Sequence, residues 1–177
     1  MALLAACGNN MRAQPRYRPL DQSSFFADGQ SARPIPPDTV SRGQLQTDQA
    51  RYTGMVDGTP VAALPVPLTR QLLQRGEERF DIYCAPCHGR AGDGQGMIVQ
   101  RGFPAPPSFH TDRLRAAPIG HFYDVITNGY GVMYSYADRV SPDDRWAIAA
   151  YIRALQLSQH ADVNDLTPAE RSKLEGK

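Results

Sequence analysis

Three observations predict an all-α domain preceded by a long, extended, proline-rich arm. Apolar residues recur at helical spacing in two stretches, 69–84 and 141–155. Between them stands Cys84-Ala85-Pro86-Cys87-His88. Residues 9–67 carry repeated prolines and show neither a sustained helical period nor strand alternation.

The cysteine motif decides what the domain is built around. Two thiols two residues apart, with a histidine directly after the second, form the attachment signature of a c-type haem. Each thiol adds to one vinyl group of the macrocycle, and the adjacent imidazole can ligate the iron from the proximal side. A zinc site needs a second ligand pair, and no second Cys pair exists in a chain with 3 cysteines. A thioredoxin-like pair sits in a strand-helix alternation, which is absent around Cys84. One haem c held by Cys84, Cys87 and His88 is the reading the context supports.

Length and charge bound the rest. A chain of 177 residues is expected to hold one domain plus extras. With a net charge of +1, neither nucleic acid nor an acidic ligand is suggested as partner. No apolar run approaches the roughly 18 residues that span a bilayer.

At the N-terminus, residues 1–6 lead into Cys7, the cysteine left over once the haem pair is assigned. Leu4-Ala5-Ala6-Cys7-Gly8 resembles the lipobox of bacterial lipoproteins, in which the cysteine is acylated after cleavage. A signal peptide needs a basic region and about 7–15 apolar residues, more than precede Cys7 here. The expectation is therefore a start site further upstream, a mature chain beginning at Cys7, and residues 1–6 as the remnant of a leader.

Residues 7–67 are expected to form a lipid-anchored arm. Its prolines disfavour regular structure, yet Tyr17, Phe25, Phe26, Ile35 and Tyr52 make it more apolar than a solvated linker. Such a segment is expected to lie along a partner protein. The runs Arg16-Tyr17-Arg18-Pro19-Leu20, Phe25-Phe26-Ala27-Asp28-Gly29 and Ser31-Ala32-Arg33-Pro34, then Gly43, resemble the N-terminal arm of the monohaem cytochrome c subunit of bacterial alternative complex III, a membrane-bound quinol-oxidising assembly. The resemblance extends over lipobox, arm and cytochrome domain in that order.

The domain itself is expected over 68–158. Thr69 is a plausible N-cap, and Leu72, Leu73, Gly76, Phe80 and Tyr83 form one apolar face. Gly inside a helix costs about 1 kcal/mol relative to Ala, so Gly76 implies close packing. The glycines from Gly89 to Gly96 and the prolines from Pro104 to Pro107 predict an irregular loop. A short helix is expected from His121 to Asn128. Ser141-Pro142-Asp143-Asp144 is a strong helix start, followed by Ile148, Tyr151, Ile152 and Leu155 at i, i+3, i+4 and i+7. Residues 159–177 form a tail in which Thr167-Pro168-Ala169-Glu170 is a second cap-like start.

Resemblance to class I cytochromes c adds three expectations. The helix entering the motif crosses the terminal helix through Gly76 and Phe80, with Trp146 and Tyr151 as aromatic partners. A backbone carbonyl of the proline-rich loop takes the second ring proton of His88. Met133, in Gly129-Tyr130-Gly131-Val132-Met133, supplies the distal iron ligand. Of the other methionines, Met1, Met11 and Met55 lie outside the expected domain and Met97 reads as packing, while His110 and His121 are the candidates for a bis-histidine site.

A haem with both axial positions filled by protein changes oxidation state by one electron and binds no substrate. The expected function is electron transfer by a chain that is not an enzyme by itself. The resemblance implies a multihaem subunit as donor, a terminal oxidase or soluble carrier as acceptor, and a place on the periplasmic face of the bacterial cytoplasmic membrane through acylated Cys7. Three readings stay open beside it: a free lipid-anchored shuttle serving another reductase or oxidase, a haem enzyme or sensor with an open iron position, and a chance CxxCH that binds no haem.

Overall fold

A computed structural model describes residues 14–175 and divides the chain into two compact units, Met1–Leu45 and Gln46–Lys177. Cys7 lies outside the described residues.

In the first unit, residues 14–45 contain no helix and no strand beyond one antiparallel bridge, Gln22 to Gln30. Short hydrogen bonds hold it. The Ser23 amide donates to the Gly29 carbonyl at 2.9 Å, the Ser31 amide to Asp21 at 3.1 Å, and the Ser31 hydroxyl to the Arg18 carbonyl at 2.6 Å. Arg33 lies 4.0 Å over the Phe26 ring and grips both carboxylate oxygens of Asp28. Ser23 is buried, whereas Tyr17, Leu20, Phe25 and Ile35 face outward. The unit is ordered by polar contacts and leaves its large apolar side chains uncovered.

The second unit starts earlier than the sequence suggests. Residues 46–67, expected to belong to the arm, form helix α1 (Gln49–Thr53) and a two-stranded hairpin, β1 (Met55–Val56) with β2 (Thr59–Pro60). Buried polar groups explain why they pack here. Trp146 and Tyr123 are fully buried and stacked at 4.4 Å, and their N–H and O–H need acceptors. Helix carbonyls are already paired, so this segment supplies them: Trp146 Nε1 donates to the Arg51 carbonyl at 2.6 Å and the Tyr123 hydroxyl to the Tyr52 carbonyl at 3.1 Å. The Gly120 amide donates to the Val61 carbonyl at 2.9 Å, and a Cβ on Gly120 would stand 2.1 Å from the Gly54 carbonyl oxygen.

Helix α2 (Arg70–Tyr83) begins at Thr69, whose hydroxyl accepts from the Leu72 amide at 3.1 Å, and α3 (Ala85–His88) follows it. Helices α4 (Asp112–Ala116) and α5 (Ile119–Asn128) come next, the latter starting two residues ahead of the expected His121. Helix α6 (Pro142–Gln159) is capped by Ser141, whose hydroxyl accepts from Asp144 at 3.2 Å, with Pro142 in the first turn. Residues 160–175 complete the same unit with a 3₁₀ turn, Val163–Asp165, and α7 (Pro168–Glu175). Thr167 and Glu170 cap each other reciprocally at the start of α7.

The α2–α6 crossing is the centre of the domain. At Gly76 the helices touch, since an added Cβ would stand 2.1 Å from the Ala147 oxygen and 2.9 Å from Tyr151 Cβ. Phe80, fully buried, meets the Tyr151 ring edge-on at 5.4 Å. Tyr151 thus takes the expected place and Trp146 does not. Ala147 and Tyr151, four residues apart, share the face toward α2, while Trp146 is turned by one residue and points at Tyr123 of α5. Among the described residues, no helix is long and apolar enough to cross a membrane.

Candidate functional site

The site grows out of the end of α2. The Cys84 amide still bonds to the Phe80 carbonyl at 2.8 Å, and α3 then carries Ala85 to His88 through a single turn. The last carbonyls of any helix lack intrahelical partners. Here the following loop supplies them: Gly89, Ile98, Gly96 and Gly94 donate their amides to the carbonyls of Ala85, Pro86, Cys87 and His88 at 2.9, 3.0, 3.1 and 2.7 Å. Two of these approaches exclude a side chain. A Cβ on Gly96 would lie 2.2 Å from the Pro86 oxygen, and one on Gly94, at φ +84°, 2.4 Å from the Pro106 oxygen. The glycine-rich loop is a backbone cradle for the motif.

Cys84 and Cys87 are both free thiols and both half-buried. Burial, and after it the neighbouring Cys87, pushes the Cys84 thiol up to about 12. The His88 imidazole stacks on the Phe109 ring at 4.6 Å and 12°. Its Nδ1 is sealed from solvent and has no hydrogen-bond partner, so the loop carbonyl expected to orient it is not engaged. Burial lowers His88 from the usual 6.5 to about 4, leaving a neutral imidazole, the form that ligates a metal through its unprotonated nitrogen.

A pH dependence follows. Below pH 6.5 the unfolded chain takes up a proton that the folded, haem-free domain refuses until about pH 4, so protonation favours unfolding. Haem-free chain is expected to lose on the order of 3 kcal/mol between those values as pH falls. Urea titrations at several pH values check this. His88→Gln should flatten that slope, and an equally steep slope in the variant would place the titrating group elsewhere.

Met133 is half-buried and closes a tight turn, with Tyr130 and Met133 exchanging backbone hydrogen bonds at 3.0 Å across Gly131 and Val132. This loop is tied down on both sides. The Ser135 hydroxyl donates to the Thr127 carbonyl at 2.6 Å and the Tyr136 amide to Ile126 at 3.0 Å. Buried Arg145 then donates to the carbonyls of Ala137 and Val140 and to the Thr127 hydroxyl, at 2.8, 2.9 and 3.1 Å. The stretch after Met133 reaches the cysteines: Tyr136 meets Tyr83 edge-on at 6.4 Å, and burial followed by the nearby Cys87 and Cys84 thiols raises its phenol.

The two candidate histidines fare differently. His110 Nε2 lies 2.6 Å from the Ala91 carbonyl, so it carries the proton and staples the glycine loop. His121 sits half-buried on α5, lowered by burial and then by Arg113. Met97 is 55% exposed on the loop.

Sequence reasoning passed over Arg145, Phe109 and Gln156. Gln156 is buried, donates to the carbonyls of Phe109 at 2.8 Å and Leu114 at 3.2 Å, and accepts from Arg153 at 2.7 Å. A signal existed for two of them. Gln156 continues the Ile148, Ile152 row at four-residue steps, and Arg145 precedes it by three; polar residues on a buried stripe need partners.

Two unpaired thiols, a neutral buried imidazole beside them and a loop whose amides occupy the motif's carbonyls make a donor set that fits covalent haem. When bound, haem supplies one-electron chemistry at its iron. Residues 71–152 match the family model described as cytochrome c oxidase, cbb3-type, subunit III. The fold and the motif together define this stretch as a cytochrome c domain, of the class that carries covalent haem c and transfers electrons. Among solved structures the chain is similar to the Kuenenia stuttgartiensis reducing HAO-like protein complex Kustc0457/Kustc0458, at 25% identity, over 60% of this chain and 54% of that chain, with a TM-score of 0.46. It spans about half the length of that neighbour. No curated protein matches the chain.

Proposed function

We propose that this protein is the one-electron carrier of a membrane quinol-oxidising assembly of the alternative complex III type. Cys84 and Cys87 hold one haem c by thioether bonds, His88 ligates the iron on the proximal side, and Met133 ligates it on the distal side. Electrons arrive from a multihaem subunit and leave to a terminal oxidase or a soluble acceptor. Acylated Cys7 anchors the chain at the periplasmic face of the bacterial cytoplasmic membrane.

One observation carries the placement in a complex. Residues 14–45 are a separate compact unit whose hydrogen bonds fix its shape while Tyr17, Leu20, Phe25 and Ile35 stay outside, at 66, 97, 84 and 72% exposure. A mere tether has no use for a fixed shape or for apolar groups in water, whereas a docking element has use for both. Mild detergent extraction through a C-terminal tag tests it. Stoichiometric recovery of a multihaem cytochrome, an iron–sulfur subunit and polytopic membrane subunits is the expected result; a red protein that emerges alone is instead a free lipid-anchored shuttle.

The distal assignment has its own test. Met133→Leu should lower the reduction potential by tenths of a volt, within the ~0.8 V range that axial ligands control, because the thioether favours the ferrous state. An unchanged spectrum and potential would move the distal ligand elsewhere.

A further inference from the structure

The loop that carries Met133 has a neck, and a buried cation closes it. Residues 129–141 connect α5 to α6, and the two ends of this loop meet at Arg145, near the start of α6. On the side before Met133, Nη1 donates to the Thr127 hydroxyl at 3.1 Å. On the side after it, Nη2 and Nε donate to the carbonyls of Ala137 and Val140 at 2.8 and 2.9 Å. A rigid planar fork of donors can span both ends at once, and a single ammonium cannot.

Arg145 is 6% exposed, and among the described residues no carboxylate pairs with it. A buried charge without a counter-ion is a poor way to fill space, since an apolar side chain of similar size packs without any desolvation cost. Its compensation is three charge-assisted hydrogen bonds and the face of Tyr123, whose ring centroid lies 5.6 Å from the guanidinium carbon. Tyr123 is itself fixed, stacked on Trp146 at 4.4 Å with its hydroxyl bonded to the Tyr52 carbonyl at 3.1 Å. The anchor beneath the loop does not move.

The loop's other fastenings converge on the same place. Ser135 and Tyr136 donate to the carbonyls of Thr127 and Ile126, and the Thr127 hydroxyl donates to the Tyr123 carbonyl at 2.8 Å while it accepts from Arg145. The tip offers little grip of its own, because Tyr130, Val132 and Tyr134 face solvent. Where Met133 stands is therefore set from the neck.

We propose that Arg145 is the positioning residue for the distal ligand: by holding Thr127, Ala137 and Val140 together it keeps the Met133 loop closed and the thioether on the iron. This rests on Met133 being that ligand. A thioether is a soft, neutral donor that ferric iron holds weakly, so a competing ligand enters whenever the loop opens. The apparent affinity for that competitor scales with the fraction of chains whose loop is open.

The test uses the full haem-loaded chain with Arg145→Met, Thr127→Val, Met133→Leu and the double variant Arg145→Met with Met133→Leu. Readouts are imidazole binding to the ferric protein, the sulfur-to-iron charge-transfer band and the melting temperature. Arg145→Met should keep covalent haem, weaken the band and bind imidazole about tenfold more tightly or better, as the open fraction rises. The double variant should bind imidazole no more tightly than Met133→Leu alone, because no thioether is left to displace. A native band and native imidazole affinity in Arg145→Met, despite a lowered melting temperature, overturn the proposal and leave only a core role; so does a further gain in the double variant. Should Arg145→Met fail to accumulate, Thr127→Val decides, since it keeps the shape of the side chain and removes the acceptor on the α5 side: tighter imidazole binding supports the proposal, and unchanged binding overturns it. Met133→Leu separates the two readings. If it leaves the band and the imidazole affinity native, the ligand assignment falls and this inference with it; if it opens the iron while Arg145→Met does not, only this inference falls.

Discussion

Replacing Cys84 and Cys87 together by serine is expected to abolish covalent haem completely: after denaturing electrophoresis, the wild-type band stains for haem and the double variant does not. Serine keeps the size and the place of each side chain, so the cradle of Gly94, Gly96 and Ile98 amides around the motif stays intact. What is lost is the sulfur nucleophile that forms the thioether. The single variants retain one bond each and should stain more weakly. Haem that survives denaturation in the double variant would mean that attachment runs through other residues.

Gly76→Ala is expected to have the largest effect on the fold, with a sign opposite to helix propensity. In an exposed helix this change gains about 1 kcal/mol. At Gly76 the new methyl group would stand 2.1 Å from the Ala147 oxygen, inside backbone that cannot yield without separating α2 from α6. That separation also loosens Phe80 from Tyr151. A net loss of ~3 kcal/mol or more follows from overpacking at a helix crossing. Denaturant midpoints measure it, with Gln74→Ala on the exposed face of the same helix as control. An equal midpoint in the two variants would show that the helices do not touch there.

Much of the domain is legible in the sequence. Thr69, Ser141 and Thr167 act as the caps their positions announced, because an N-cap is a local contract between a side chain and an amide two or three residues on. Gly76 announced a close approach because glycine has no other reason to stand on an apolar helix face. The irregular course after His88 was written in its glycines. Only the structure shows what they serve, which is delivery of amides to the end of α3.

Elsewhere the sequence was silent for a physical reason. The fate of residues 46–67 depends on Trp146 and Tyr123, 95 and 71 residues beyond their acceptors, whose buried polar heads need carbonyls from outside their own helices. A five-residue helix and a hairpin of two-residue strands carry no period that a window can detect. Trp146 meets α5 instead of α2 for a related reason, since a helical pattern shows which residues are buried and a rotation of one position decides which helix they meet.

The sequence by itself determined the chemistry and the helical frame: Cys84, Cys87 and His88 at attachment spacing, and two apolar stripes with their caps. These are local facts, set by residues within one or two turns of each other. Tertiary structure alone decided where the second unit begins, which aromatic pairs form, how Arg145 pins the Met133 loop, and that Phe109 stacks on His88 while Gln156 holds the Phe109 carbonyl. Those depend on contacts between residues far apart in the chain, and only the satisfied partners of buried polar groups reveal them.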